Sequence, residues 1–179
     1  MRRNRRIPRI AALAVIAALA LLPTATAQAG GGLSTNPAAG TVPGSKAKLV
    51  HGKAIAPADA PRRVQKVIAA ANRIRNKPYK WGGGHGSWND KGYDCSGSVS
   101  YALHGGRLLN TPLDSTGLSR YGQKGKGSWI SVYGNPSHAY MIVAGLRFDT
   151  SNTRGNGPGW SRSMRSTSGS FKVRHPRGL

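Results

Sequence analysis

Between Trp129 and Asp149 three short apolar runs follow one another: Trp129 to Tyr133, His138 to Val143, and Leu146 to Asp149. Gly134-Asn135-Pro136-Ser137 separates the first two, and only Ala144-Gly145 separates the last two. Short runs rich in Val, Ile, Tyr and Phe, bounded by turn residues, read as β-strands. Connections this tight make neighbouring strands antiparallel. A final short strand is expected at Phe171 to Arg174, beyond a Gly/Asn/Ser-rich loop.

Helical patterns precede the strands. Val64, Val67, Ile68, Ala71 and Ile74 recur at helical spacing, with Arg63, Lys66, Arg73 and Arg75 largely on other faces. Asp59 is the expected N-cap, Pro61 falls in the first turn, and Pro78 sets an end near Asn76. Ser96 to His104 forms a second candidate helix, stopped by Gly105-Gly106. Residues 112–127 read as irregular or partly helical. Helices first and a run of antiparallel strands after them define an α+β domain over residues 59–179.

The N-terminal part of the chain has a different character. Arg2, Arg3, Arg5, Arg6 and Arg9 precede an apolar run from Ile10 to Leu22, then Pro23 and the small-x-small site Ala27-Gln28-Ala29. This is the pattern of a secretory signal peptide over residues 1–29, and the run falls short of an ordinary membrane span. Residues 30–58, rich in Gly, Ala, Pro and Lys, read as a flexible tether. The formal charge is +22, and the five leader arginines account for the difference to +17 after cleavage. All 5 acidic residues are Asp, at 59, 90, 94, 114 and 149. Such a surface seeks polyanions. An exported protein meets anionic cell-wall polymers and lipid headgroups first, and retention on the wall polymers is the expectation. No basic helix with interleaved aromatics marks a nucleic-acid reader.

The single cysteine, Cys95, follows Asp94 at the start of the second helix. One cysteine cannot make an internal disulfide, and in an oxidising compartment a leftover thiol is reactive. A helix N-terminus and a neighbouring imidazole both favour the thiolate. His138, opening an apolar strand, is the best-placed partner, and together they would give the pair that nucleophilic catalysis requires; a small buried cysteine and a satisfied strand-end histidine are the other reading of the same residues. His85 lies in a glycine-rich loop expected to be mobile, and His104 at a helix end. No ligand-spacing motif joins Cys95, His85 and His138, so no metal and no cofactor are expected.

The stretches "KPYKWGGGHGSWNDKGYDCSGSVSYAL" and "SHAYMIVAG" resemble the NlpC/P60 family of cell-wall cysteine peptidases over roughly Val64 to Thr150. The resemblance implies a papain-like α+β fold, with N-terminal helices packed on a small antiparallel sheet. It makes Cys95 the nucleophile and His138 the base. Tyr79, Asp94 and Ser96 match positions that bind the free amine of a peptidoglycan stem peptide. The third catalytic position is ambiguous. Counting without gaps places Thr150 there, whereas aligning the turn Ala144-Gly145 places Asp149, the better acceptor for an imidazolium. The chain departs from the family pattern in its long loop Gly82 to Tyr93, in Tyr140, and in Gly127-Ser128. The expected protein is a secreted, monomeric peptidoglycan endopeptidase. A silent wall-binding module, or an amidase or acyltransferase on the same fold, is the alternative.

Overall fold

The computed structural model describes residues 40–151, 157–166 and 171–179. The leader expected over residues 1–29 and the start of the tether, 30–39, lie outside the described residues. Residues 40–58 do not behave as a tether. Strands β1 (Lys48–Val50) and β2 (Lys53–Ile55) form an antiparallel hairpin. Ala54 and Ala56 are buried, and the Ala47 amide donates to the Ala144 carbonyl at 2.9 Å. Small alanines at those positions let the hairpin lie close on the first helix. That fit is tertiary, which is why composition alone suggested a flexible segment.

Helix α1 (Arg62–Ile74) buries Val64, Val67, Ile68, Ala71 and Ile74, the face expected from their spacing. It starts later than Asp59. Pro61 is the N-cap, with no side-chain cap bond, and its carbonyl accepts from Val64 and Gln65. Asn72 is the polar exception on the buried face. Its Oδ1 accepts from the Ala54 amide (3.1 Å) and Trp160 Nε1 (3.0 Å), and its Nδ2 donates to the Ala54 carbonyl (2.8 Å). One amide thereby ties the hairpin and a late strand to α1. Asn72→Leu is expected to lower stability by about 2–4 kcal/mol, because buried donors are left without acceptors. A smaller change in urea-unfolding free energy would assign the packing to apolar contacts alone.

Helix α2 (Cys95–Gly105) packs against α1, and a short helix α3 (Ser115–Leu118) follows. The strands after it are β3 (Gln123–Lys124), β4 (Ile130–Gly134), β5 (Ala139–Val143), β6 (Leu146–Asp149), β7 (Gly159–Ser161) and β8 (Lys172–His175). Among the described residues they form one antiparallel sheet in the order β3-β8-β4-β5-β6-β7. The expected strands appear within a residue or so of their predicted limits. The edge strands β3 and β7 were not anticipated, being too short to show a period. Both faces of the sheet's centre are covered. Val132, Met141 and Phe148 are wholly buried in the core, and on the other face Tyr133 and Tyr140 stack 4.6 Å apart.

The hairpin between β5 and β6 is closed by Ala144 (φ 47°) and Gly145 (φ 85°). Positive φ at both central residues matches the strand twist, and the two-residue loop fixes the pairing Val143↔Leu146. That register decides the geometry of the site.

Candidate active site

Asp94 caps α2 as the sequence indicates. Its backbone is extended, its Oδ1 accepts from the Gly97 amide at 2.7 Å, and its carbonyl accepts from Ser98 at 3.0 Å. Cys95 is thereby the first residue of the helix, where amides and dipole favour a negative sulfur. Gly97 is required for a second reason. A Cβ there would overlap the Gly83 carbonyl oxygen, so only glycine lets the Trp81-Gly82-Gly83-Gly84 loop press against this turn.

His138 stands at the mouth of β5, held from behind by Asn135. The Asn135 Oδ1 accepts from the amides of Ser137 (3.0 Å) and His138 (2.8 Å), and the Asn135 amide donates to the His138 carbonyl (3.0 Å). This turn aims the imidazole at α2, where it lies beside the Cys95 thiol and interacts with it. The other ring nitrogen, Nε2, donates to Asp149 Oδ1 at 2.9 Å.

The register explains why Asp149 and not Thr150 receives that bond. Met141 pairs with Phe148. Continuing the ladder sets Thr150 opposite Ala139, on the core side, and Asp149 on the face that His138 shares. Asp149 is completely buried. Its carboxylate also accepts from the Ser151 amide and hydroxyl (3.1 Å each) and from Arg165 Nη1 (3.2 Å), with Arg147 Nε 3.7 Å away. Arg165 Nη1 lies 3.4 Å from His138 Nε2. Both atoms carry hydrogens, so they share Asp149 rather than bond each other. Sequence reasoning missed Ser151 and Arg165. Neither stands in a motif, and both reach the site through contacts formed only on folding.

Electrostatics follow from this arrangement. Burial alone would raise the Cys95 thiol, but hydrogen bonds from His138 and the Ala139 amide outweigh it and hold the pKa below its ordinary value. For His138 burial pulls downward, and the bonds to Asp149 and Cys95 carry it up to about 9. Asp149 is lowered to about 2: burial opposes ionisation, while His138, Ser151 and Arg165 together favour it. The combination favours thiolate with imidazolium. A profile of kcat/KM should therefore rise as Cys95 deprotonates below its ordinary pKa and fall as His138 loses its proton near pH 9. A descending limb near the unperturbed histidine value would contradict the ion pair.

Tyr79, Asp94 and Ser96 do lie together beside Cys95. The Tyr79 hydroxyl is raised by burial and by the negative charges of Cys95 and Asp94. His85 joins them, because its Nε2 is 3.1 Å from both Asp94 Oδ1 and Ser96 Oγ. The loop carrying it is not slack. Lys80 pairs with Asp90 at 2.9 Å, the Gly84 amide donates to Asp90 Oδ2, and Tyr93 Oη donates to the Trp88 carbonyl. Trp88 stacks on His104 with ring centroids 4.0 Å apart. Asp94 now accepts from four groups: Gly97, Ser96 and His85 on Oδ1, and Gly82 on Oδ2. Among the described residues no cluster of three or more His, Cys, Asp or Glu side chains is arranged to hold a metal ion. No described helix is long and apolar enough to cross a membrane.

A thiol at a helix N-terminus faces an imidazole at a sheet edge backed by a buried carboxylate, in a protein of the α+β class. Within that class the chain has the NlpC/P60 fold expected from its sequence. The fold is shared with a hypothetical invasion protein of Mycobacterium tuberculosis (TM-score 0.50, 21% identity), over 64% of this chain and 62% of that one. This chain therefore spans less than two thirds of that protein's length. Two other Mycobacterium tuberculosis structures are also similar. RipB, a peptidoglycan hydrolase, is 24% identical over 63% of this chain and 64% of its own, with TM-score 0.49. RipD, a non-catalytic NlpC/p60 domain protein adapted to peptidoglycan binding, is 21% identical over 65% of this chain and 98% of its own, with TM-score 0.49. No family model and no curated protein matches the sequence.

Proposed function

We propose that this chain is a secreted cysteine peptidase of the NlpC/P60 family, hydrolysing peptide bonds in peptidoglycan stem peptides. The observation that supports it is the placement of Cys95 at the α2 N-terminus beside His138, whose Nε2 donates to the buried carboxylate of Asp149. In this reading the Cys95 thiolate attacks the scissile carbonyl carbon, forming a C–S bond and a tetrahedral oxyanion. Backbone amides at the start of α2 face that oxygen and stabilise it. The His138 imidazolium gives its proton to the leaving amine as the C–N bond breaks, which leaves an acyl-enzyme. Neutral His138 then takes a proton from water, hydroxide adds to the thioester, and the acid product departs with the thiolate restored. Asp149 keeps the ring oriented throughout.

Tyr79, Asp94 and Ser96 form the wall that meets the peptide on the acyl side, and His85 adds an imidazole to it. The basic surface holds the enzyme on anionic wall polymers. Mass spectrometry of purified muropeptides after incubation with the protein tests the assignment. New fragments separated by the mass of one water per cleavage are expected, and intact muropeptides would refute it. Binding to whole walls should also weaken steeply between low and physiological salt, while cleavage of a short soluble peptide should change little. Equal salt dependence of the two would put the charge to work inside the site.

A further inference from the structure

The outer face of α1 and strand β2 enclose an open groove of about 710 Å³, remote in sequence from Cys95 and His138. Five cations line it: Lys53 from β2, and Arg62, Lys66, Arg73 and Arg75 from α1 and its end. Arg62, Lys66, Ala69 and Arg73 follow one another at i, i+4, i+7 and i+11, so they share one helix face, and all four are exposed. The stripe extends over roughly 16 Å of helix. Ala69 in its middle keeps the floor low. No acidic and no aromatic residue lines the groove among the described residues. Asp59, the acid nearest in sequence, is not on its wall.

This placement carries an electrostatic penalty. Arg62 occupies the first turn of α1, where the helix dipole favours a carboxylate, and no acid is present in that turn. Like charges then repeat along the same face, and among the described residues no ion pair relieves them. An anion laid along the stripe removes both penalties. The cations are spaced by roughly 6 and 10 Å along the axis, which suits repeated charges on a chain better than one small ion. Guanidinium forks bind phosphate oxygens in pairs. No aromatic ring lines the groove among the described residues, so a nucleic acid would lack there the aromatic stacking that single-strand binders add to charge.

We infer that the α1–β2 groove is a binding site for a linear phosphodiester polymer without bases, of the polyol-phosphate type, which holds the enzyme near its substrate. The inference rests on the proposed wall-directed function and gives its charge a specific address. The test uses the full chain, poly(glycerol phosphate) of defined length, and fluorescence anisotropy over a salt series. The triple variant Arg62→Gln/Lys66→Gln/Arg73→Gln is compared with Lys124→Gln/Lys126→Gln/Arg177→Gln, which removes three exposed cations elsewhere. The groove variant should bind at least about tenfold more weakly at low salt, with a salt slope reduced by roughly two. The control should lose less than about threefold. Equal losses would overturn the site and leave only general attraction. An oligothymidylate or a polyuronate of equal charge bound as tightly as the phosphodiester polymer would overturn the ligand class. Muropeptide cleavage, measured on the same samples, separates the two claims. Cleavage unchanged in the groove variant accords with an anchoring site, and loss of cleavage there would contradict it. A wild-type protein that binds polymer but cleaves nothing would refute the peptidase and leave the groove standing.

Discussion

Replacing Cys95 by alanine is expected to abolish hydrolysis of stem peptides, a fall on the order of 10⁴–10⁶-fold in kcat, while the protein stays folded. In the proposed mechanism the sulfur is the atom that attacks, and no other described side chain beside His138 offers a comparable nucleophile. Nothing in the cap depends on the thiol. Asp94 binds the Gly97 amide through its carboxylate, and the helix start survives the change. The altered charge should appear elsewhere. His138 is raised partly by its bond to Cys95, so its pKa should fall from about 9 in the variant. Unchanged circular dichroism, absent turnover and a lower histidine pKa by NMR would together fit the mechanism. Retained turnover by a folded variant would end it.

The second large effect is expected at Asp149. Asp149→Ala should cut kcat by roughly 10²–10⁴-fold, since the imidazole loses the acceptor that orients it. Alanine also removes the carboxylate that lies 3.7 Å from buried Arg147 Nε and accepts from the Ser151 hydroxyl, so loss of stability has to be separated from loss of chemistry. Asp149→Asn does this. Its amide oxygen can still accept from His138 Nε2, so orientation is kept while the charge is lost. The asparagine variant should retain more activity than alanine and lose its alkaline limb at lower pH than the wild type. Stability should follow the same groups. The share due to His138, whose pKa is raised, is complete below about pH 6.5 and lost as pH climbs through about 9. The share due to Asp149, whose pKa is lowered, is present above about pH 4 and lost toward about 2. Thr150→Ala should leave kcat within about threefold, because the register turns Thr150 toward the core. A larger loss at Thr150 than at Asp149 would reverse the assignment.

His85 illustrates where expectation and structure part. A glycine-rich loop suggests motion on composition alone. What holds the loop is a set of particular contacts: Lys80 with Asp90, Trp88 on His104, and His85 itself against Asp94 and Ser96. The first closes the loop on itself, and the other two join it to α2 and its cap. Glycines describe the freedom of an isolated segment, and the stacking and ion pairing remove that freedom only in the folded chain.

What the sequence determined by itself is local. The Asp94-Cys95-Ser96-Gly97 helix start rests on a bond spanning three residues. The apolar face of α1 follows from helical period, and the β5–β6 hairpin from the two-residue turn at Ala144-Gly145. In each, every partner lies within a few residues, so the chemistry can be read directly from the order of amino acids. The tertiary structure decided the rest. It joined Asn72 to Trp160 across 88 positions and brought Arg165 to Asp149. It converted residues 40–58 from an apparent tether into a hairpin on α1, and it aligned five cations along one groove. It also chose Asp149 over Thr150, because a strand's alternation says which residues share a face but not which face meets His138. Only the pairing of β5 with β6 supplies that, and such pairing is a property of two segments together.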